Sequence, residues 1–395
     1  MASAVESPSV PEFLNSQPTK EPSPPGLGSL RLRYKVGDEA IVKLGLAINY
    51  SQPQITIPYE KIALAERLGY DSVWSAEAYG SDALTPLGFV GSRTQHLRLG
   101  TGLIQIAART PVATAMAAAT LDQLSGDNRV ILGLGVSGPQ IVEGWYGRPW
   151  GKPVDQLRDY VSIMRQVFKR EGPVSYDGKA ISLPYVGEGS IGQGKPLKCI
   201  LHPNPDIPIW LGCGGPASTR LMAELCDGWL PMGLTPENWE STYRPIVEEG
   251  LAKASDAAAT TPKTLADLEI QGGCHVEVTE DVEGAWARRK PAIGLLVGGY
   301  GSRTHNFHKE TMIRRGYGEE AEKVQELFLS GKRDEAFEAI PDAYIDEMGL
   351  YGSQERIRER FSRFEGGPFT GLTLHTDELE VLEMMAEVAG LTPRR

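Results

Sequence analysis

Short apolar runs alternate with stretches of helical period along most of the chain. Val42–Ile48 (VKLGLAI) is one such run, and after it Ile62, Ala65 and Leu68 recur at helical spacing until Gly69 stops them. The couple then repeats. Asp71–Ser75 (DSVWS) precedes a helix around Thr85–Thr94, and Leu97–Ile104 (LRLGTGLI) precedes the Ala-rich helix Pro111–Leu124, whose proline suits a first turn. Arg129–Val136 (RVILGLGV) is the fourth run. Parallel strands need a crossover between them, and a helix supplies it, so this rhythm predicts a parallel sheet. It resumes with Ile207–Cys213 (IPIWLGC), a helix over Pro216–Leu225, Gly228–Met232, a strand near Leu268–Val278, and Gly371–His375 (GLTLH). Eight strand candidates is the number that closes a (β/α)8 barrel, so the fold class expected is α/β, a single TIM barrel.

Two insertions break the rhythm. Residues 174–206 suggest a hairpin plus a Gly/Pro-rich loop, and residues 283–365 a helical excursion between the seventh and eighth strands. Residues 1–38 are rich in Ser, Pro and Glu with little apolar periodicity, which predicts a disordered or arm-like tail ahead of a barrel domain over 39–395.

Composition adds exclusions rather than a function. A formal charge of −11 argues against a nucleic-acid partner, which calls for a basic face. Cys199, Cys213, Cys226 and Cys274 show no metal-ligand spacing and lie in or next to predicted elements, so buried, reduced thiols and no metal are expected. The chain offers no membrane-spanning run and no signal-peptide pattern, and the expectation is a cytoplasmic protein without a membrane partner.

Gly133–Gly138 (GLGVSG) fits the GxGxxG pattern and follows a strong strand. A dinucleotide fingerprint, however, opens the first βαβ unit and needs an acid at a strand end about 20 residues on. Here the loop follows the fourth strand, and Asp155 and Asp159 fall on a helix whose stripe is Val154, Leu157, Val161 and Met164. The dinucleotide reading is set aside.

Longer segments carry a resemblance. Gly135–Pro149 (GVSGPQIVEGWYGRP), followed by Gly151-Lys152-Pro153, resembles the signature of coenzyme F420-dependent enzymes in the luciferase-like superfamily. Trp74–Ala83 (WSAEAYGSDA), Leu99–Leu103 (LGTGL), Gly194–Pro203 (GKPLKCILHP), Asp227–Pro231 (DGWLP), Arg303–Phe307 (RTHNF) and Glu355–Phe361 (ERIRERF) match the same group. The resemblance implies a luciferase-like barrel, usually a homodimer, with a deazaflavin ring over the C-terminal strand ends and a small organic substrate beside it. It implies hydride transfer with F420. An FMN-dependent monooxygenase and a non-catalytic flavin-binding protein stay as alternatives.

By the same resemblance, Gly102-Leu103 stands where similar enzymes have a non-proline cis peptide backing the ring. Gly212, Cys213, Gly214, Gly215 and Pro216 form a strand-to-helix loop whose backbone N–H groups suit a cofactor phosphate, or make a plain tight turn. Relatives often carry Lys where Ala217 stands. Ser137, Gly138, Pro139 and Gln140 suit hydrogen bonds to the cofactor, and Ser137 also suits a helix cap. Gly135 belongs to the same loop. Glu77 and Tyr79 end the second strand; Glu77 is either an acid/base or a structural acceptor, with Ala78 where a related sugar-phosphate dehydrogenase has His. Trp145, Tyr146, Arg148 and Trp150 either wall the pocket or pack a lid. Arg148 and Lys152 suit the cofactor's acidic tail, and Tyr146 is the second candidate for proton transfer. Arg303, His305, Asn306 and His308 are expected over the site, with the two histidines exposed or facing substrate.

Overall fold

The computed structural model describes residues 42–49, 51–126, 128–256 and 263–394. The tail expected over residues 1–38 lies outside them. Strands β1 (Lys43–Ala47), β2 (Ser72–Ser75), β3 (Arg98–Gln105) and β4 (Val130–Gly135) run parallel in chain order. After a two-stranded hairpin, β5 (Tyr176–Asp177) and β6 (Ser182–Leu183), the sheet continues through β7 (Ile209–Cys213), β8 (Gly228–Pro231) and β9 (Glu269–Val278). It closes through β11 (Gly371–His375), which pairs with both β9 and β1. These eight parallel strands are the eight runs expected from the sequence.

A ninth strand, β10 (Gly349–Gly352), was not expected. It pairs with the outer half of β9, at His275–Val278, while β11 takes Gln271–His275. The outer half of β9 therefore carries the excursion that the pattern placed at residues 283–365.

Proline starts four of the helices beside the barrel: α3 (Pro111–Ser125), α4 (Pro139–Gly144), α5 (Pro153–Lys169) and α6 (Pro216–Leu225). A proline there loses no hydrogen bond, because the first helical N–H has no partner within the helix anyway. The layer also includes α1 (Tyr59–Leu68), α2 (Leu84–Gly91), α7 (Arg244–Asp256) and, after β11, α14 (Leu379–Val388). The excursion holds α8 (Val282–Gly294), α9 (Phe307–Arg314), α10 (Gly318–Leu329), α11 (Arg333–Glu338), α12 (Asp342–Asp346) and α13 (Gln354–Phe361). Within it Ala285, Val297, Met312, Val324, Ile345 and Tyr351 form a second small core.

Helix α5 buries the stripe Leu157, Val161 and Met164, as its period predicts. Asp159, one of the two acids at the spacing of a ribose holder, is buried. It accepts from Ala180 N (2.6 Å), Ile181 N (3.0 Å) and Tyr176 Oη (3.2 Å), and so ties the hairpin to the helix. The cysteines are free; Cys213, Cys226 and Cys274 are buried, whereas Cys199 lies half-buried in the loop rather than in an element.

Side chains inside the barrel are set by strand parity. Trp74 and Trp210 meet at 5.3 Å between ring centroids, with Ile131 and Leu230 against them. Gly100 and Gly228 make room: a Cβ at either would stand 2.4 Å from one of these rings. Below this layer Arg98 closes the floor. It donates to Asp71 at 2.7 Å and to Glu269 at 2.8 Å, and Lys43 donates to Glu269 at 2.9 Å. Burial works against the charges of Arg98 and Glu269. Asp71 and Glu269 nevertheless hold Arg98 above its ordinary pKa, and Arg98 and Lys43 hold Glu269 down to about 2.

Candidate functional site

The same parity places inward-facing residues at the other end of the barrel, where the strands finish. Gln271 donates to Thr373 Oγ1 at 3.1 Å inside the lumen, so His275, four residues beyond Gln271, and His375, two beyond Thr373, also face inward. Gly102 and Gly273 leave openings in the wall, both being exposed although they lie within strands. Chemistry in such barrels gathers at this end because the βα loops can vary while the strands hold them.

On β3 the peptide Gly102–Leu103 is cis, and the register with β4 shifts between Thr101 and Ile104. Leu103 lies across the neighbouring strands. A Cβ at Gly135 on β4 would stand 2.5 Å from its Cδ2, and one at Gly212 on β7 would stand 2.4 Å away. Two glycines from different strands thus seat one leucine at the mouth. Glycine at 102, 135 and 212 reads as a single packing device once the barrel is closed.

Gly214 and Gly215 follow at the start of α6, which no side chain among the described residues caps. Their N–H groups and the first turn form the kind of positive end that holds a phosphate. Gly215 faces open space: beyond its chain neighbours, the nearest atom to the position a Cβ would take is Ser218 Oγ at 3.6 Å. A Cβ at Gly214 would instead lie 2.2 Å from Met232 O. Cys213 is turned the other way. Its thiol is buried beside Thr219 Oγ1 at 3.9 Å, and burial pushes it up to about 12. Pro216 is the first residue of α6.

Ser137 adopts a left-handed backbone (φ 59°), and no side chain among the described residues caps α4, so its hydroxyl does not serve as a helix cap. Gly138 is the cap residue and Pro139 the first residue of that helix. Gln140 donates through Nε2 to Tyr300 O at 2.5 Å, while its Oε1 is buried with no partner among the described residues.

Tyr300 belongs to the excursion, and further contacts bring that segment over the mouth. Its ring stacks on Tyr79 at 6.3 Å, and Trp150 meets Phe307 at 6.4 Å. Asn306 anchors the segment by donating to Leu296 O and Val297 O at 3.0 and 2.8 Å. His308 packs edge-on to Tyr300 at 5.4 Å, and burial lowers it to about 4. His305 and Arg303 are exposed, as are Arg148, Lys152 and Trp145.

Glu77 sits at the mouth with its carboxylate fully used. Oε1 accepts from Gln105 N (2.9 Å) and Arg109 Nη1 (3.1 Å), and Oε2 from Ala83 N (3.2 Å) and Arg109 Nη1 (2.9 Å). It is 7% exposed. Such an arrangement holds the β2 and β3 exits together and leaves no lone pair prepared for a proton; it favours the structural side of the alternative. Tyr146 donates to Ala78 O at 3.3 Å, and burial followed by the charge of Glu77 raises its phenol above the ordinary value. The tyrosine is a donor at neutral pH, not a base. Arg109 and Tyr300 escaped the sequence reading because nothing local marks them. His275 and His375 had a usable signal, namely inward parity at the C-terminal ends of two expected strands.

Glu77→Gln tests this. The amide puts an NH2 where a carboxylate oxygen now accepts from two donors, which is expected to cost about 1–3 kcal/mol. Thermal melting should show that loss, with turnover per folded molecule changed far less than a proton-transfer role demands.

A family model described as luciferase-like monooxygenase matches residues 47–371. A Mycobacterium tuberculosis protein provisionally named a coenzyme F420-dependent oxidoreductase is 44% identical over 351 residues, covering 88% of this chain and 99% of the relative. The 5,10-methylenetetrahydromethanopterin reductase of Archaeoglobus fulgidus is 26% identical over 307 residues, covering 76% of this chain and 83% of that one. Among solved structures, the coenzyme F420-dependent tetrahydromethanopterin reductase from Methanopyrus kandleri superposes with a TM-score of 0.67. It is 21% identical, with 88% of this chain and 98% of that chain covered.

Proposed function

We infer, from a chain that belongs to the luciferase-like monooxygenase family, that this enzyme uses coenzyme F420 to transfer a hydride to or from a small organic substrate. The observation that carries the reading is the glycine-lined mouth. Gly102 opens the wall beside a Leu103 seated on Gly135 and Gly212, and Gly215 leaves open space at the uncapped start of α6. A flat ring system with a phosphate on its side chain fits those features. The name of the Mycobacterium tuberculosis relative supports F420 as that group.

When bound, the deazaflavin supplies a carbon that accepts or releases hydride as a two-electron carrier. The chain's own part is placement. Leu103 offers an apolar surface to the ring, and the N–H groups of Gly214, Gly215 and Ala217 suit donation to a phosphate. Exposed Arg148 and Lys152 lie on the stretch between α4 and α5, where they suit an acidic tail. Tyr79 and Tyr300, stacked at the rim, shield the mouth from water on one side. Tyr146 holds its proton and can donate it, while the Glu77–Arg109 pair keeps the β2 and β3 exits in register.

Titration of the purified chain with F420 and with FMN, followed by absorbance, tests the reading. F420 is expected to bind at micromolar concentration or tighter and FMN much more weakly. Stoichiometric FMN that F420 fails to displace would replace this reading with that of an FMN monooxygenase.

A further inference from the structure

Across the barrel from the Leu103 side, a cavity of about 240 Å³ opens between the ends of β9 and β11. None of its residues takes part in placing the cofactor. His275 and His375 are register partners, and their rings stack at 4.6 Å between centroids. Arg289, from α8, places Nη2 2.7 Å from His275 Nε2. A guanidinium only donates, so this ring nitrogen accepts, and His275 is a neutral imidazole carrying its proton on Nδ1.

That partner choice matters for charge. Arg289 makes no ion pair among the described residues. Its acidic neighbours have other partners: Glu277 is held by Arg288, and Asp377 pairs with Lys61 at 3.1 Å. Glu378, at the exposed rim, is the remaining acid of the cavity lining. A neutral imidazole orients the guanidinium without cancelling its charge; Arg289 also meets the Tyr351 hydroxyl, and five N–H donors are more than these two partners use. Tyr351 and Thr376 complete the lining with two hydroxyls.

We propose that His275, Arg289 and His375 form a recognition site for the carboxylate of an organic substrate, on the wall of the mouth facing the cofactor side. This rests on the hydride-transfer reading for its purpose, which is to anchor the substrate while its reacting carbon meets the ring. Both imidazoles stay uncharged at neutral pH. Burial, then His375 and Arg289, lower His275 well below its ordinary value. His375 is open to the cavity yet surrounded by protein, and that surrounding, followed by Arg289 and Lys61, brings it down to about 4. The charge that meets a carboxylate is then that of Arg289.

Calorimetric titration of the full chain with benzoate, and with benzamide as its uncharged counterpart, tests the site. Benzoate should bind the wild-type chain at least tenfold more tightly than benzamide. Arg289→Gln should weaken benzoate at least tenfold, leave benzamide unchanged, and leave F420 affinity within twofold; Arg289→Lys should recover part of the loss. Equal binding of benzoate and benzamide, no benzoate binding at millimolar concentration, or full affinity in Arg289→Gln would each overturn the proposal. The benzamide comparison needs no variant, so it decides the matter even where Arg289→Gln fails to fold. Failure of F420 to bind the wild-type chain would instead count against the cofactor reading, and the benzoate result would stand apart from it.

Discussion

Arg98→Met is expected to lower the unfolding free energy by about 2–4 kcal/mol, somewhat below the 3–5 typical of breaking a fully buried pair. The discount reflects partial exposure, since the side chains of Arg98, Asp71 and Glu269 are 19%, 21% and 30% accessible. Methionine keeps much of the volume beneath Trp210 but removes the shared donor of two carboxylates, leaving Lys43 alone between them. The same change should alter the pH profile. Glu269 is held at about 2 in the folded chain, against about 4.3 when unfolded. A depressed carboxyl contributes stability above its unfolded value and loses it as pH falls towards the folded one. Wild-type stability should therefore decline between about pH 4.3 and 2 through this group. The variant starts lower at neutral pH and should decline less steeply over that window. Urea melts across this range measure both effects, and parallel curves for the two proteins would count against the floor as a charged network.

The second large effect separates two adjacent glycines. Gly214→Val should cost about 3 kcal/mol, the upper end for overpacking, because its Cβ meets a carbonyl oxygen that cannot swing aside. That oxygen is Met232 O, just past β8, 2.2 Å from the position a Cβ would take. Gly215→Val meets nothing comparable, and its backbone (φ −77°, ψ 149°) is one that valine adopts readily. It should melt like the wild type. Its branched side chain would nonetheless crowd the open start of α6, so F420 binding should weaken at least tenfold, or about 1.4 kcal/mol. Melting curves and cofactor titrations on both variants distinguish a packing glycine from a binding one. Unchanged affinity in Gly215→Val would remove the α6 loop from the site.

Everything legible along the chain was local and periodic. Apolar runs bounded by Gly and Pro identified the eight barrel strands, and the 3.6-residue stripe of α5 excluded the ribose acid at Asp159. The resemblance of Gly135–Pro149 and its companion segments pointed to the family that matches residues 47–371. Strand β10 escaped, because GLYG is four residues among helices and becomes a strand only where the outer half of β9 offers unpaired backbone.

The rest depended on closure. Arg98 meets Glu269 across 171 residues of chain, and Arg109 saturates Glu77 from 32 residues away; no local pattern reports such distances. The parity of His275 and His375 can be read along their strands, but only the closed barrel brings β9 beside β11 and sets both rings with Arg289. Gly214 and Gly215 are the same residue in the same loop, and only the chain emerging from β8 makes one of them a packing requirement. Hydrophobic period is written into each segment because each must bury its own face. Partners of buried charges, and the space left beside a glycine, are properties of pairs of segments, and the tertiary fold alone decides which pairs meet.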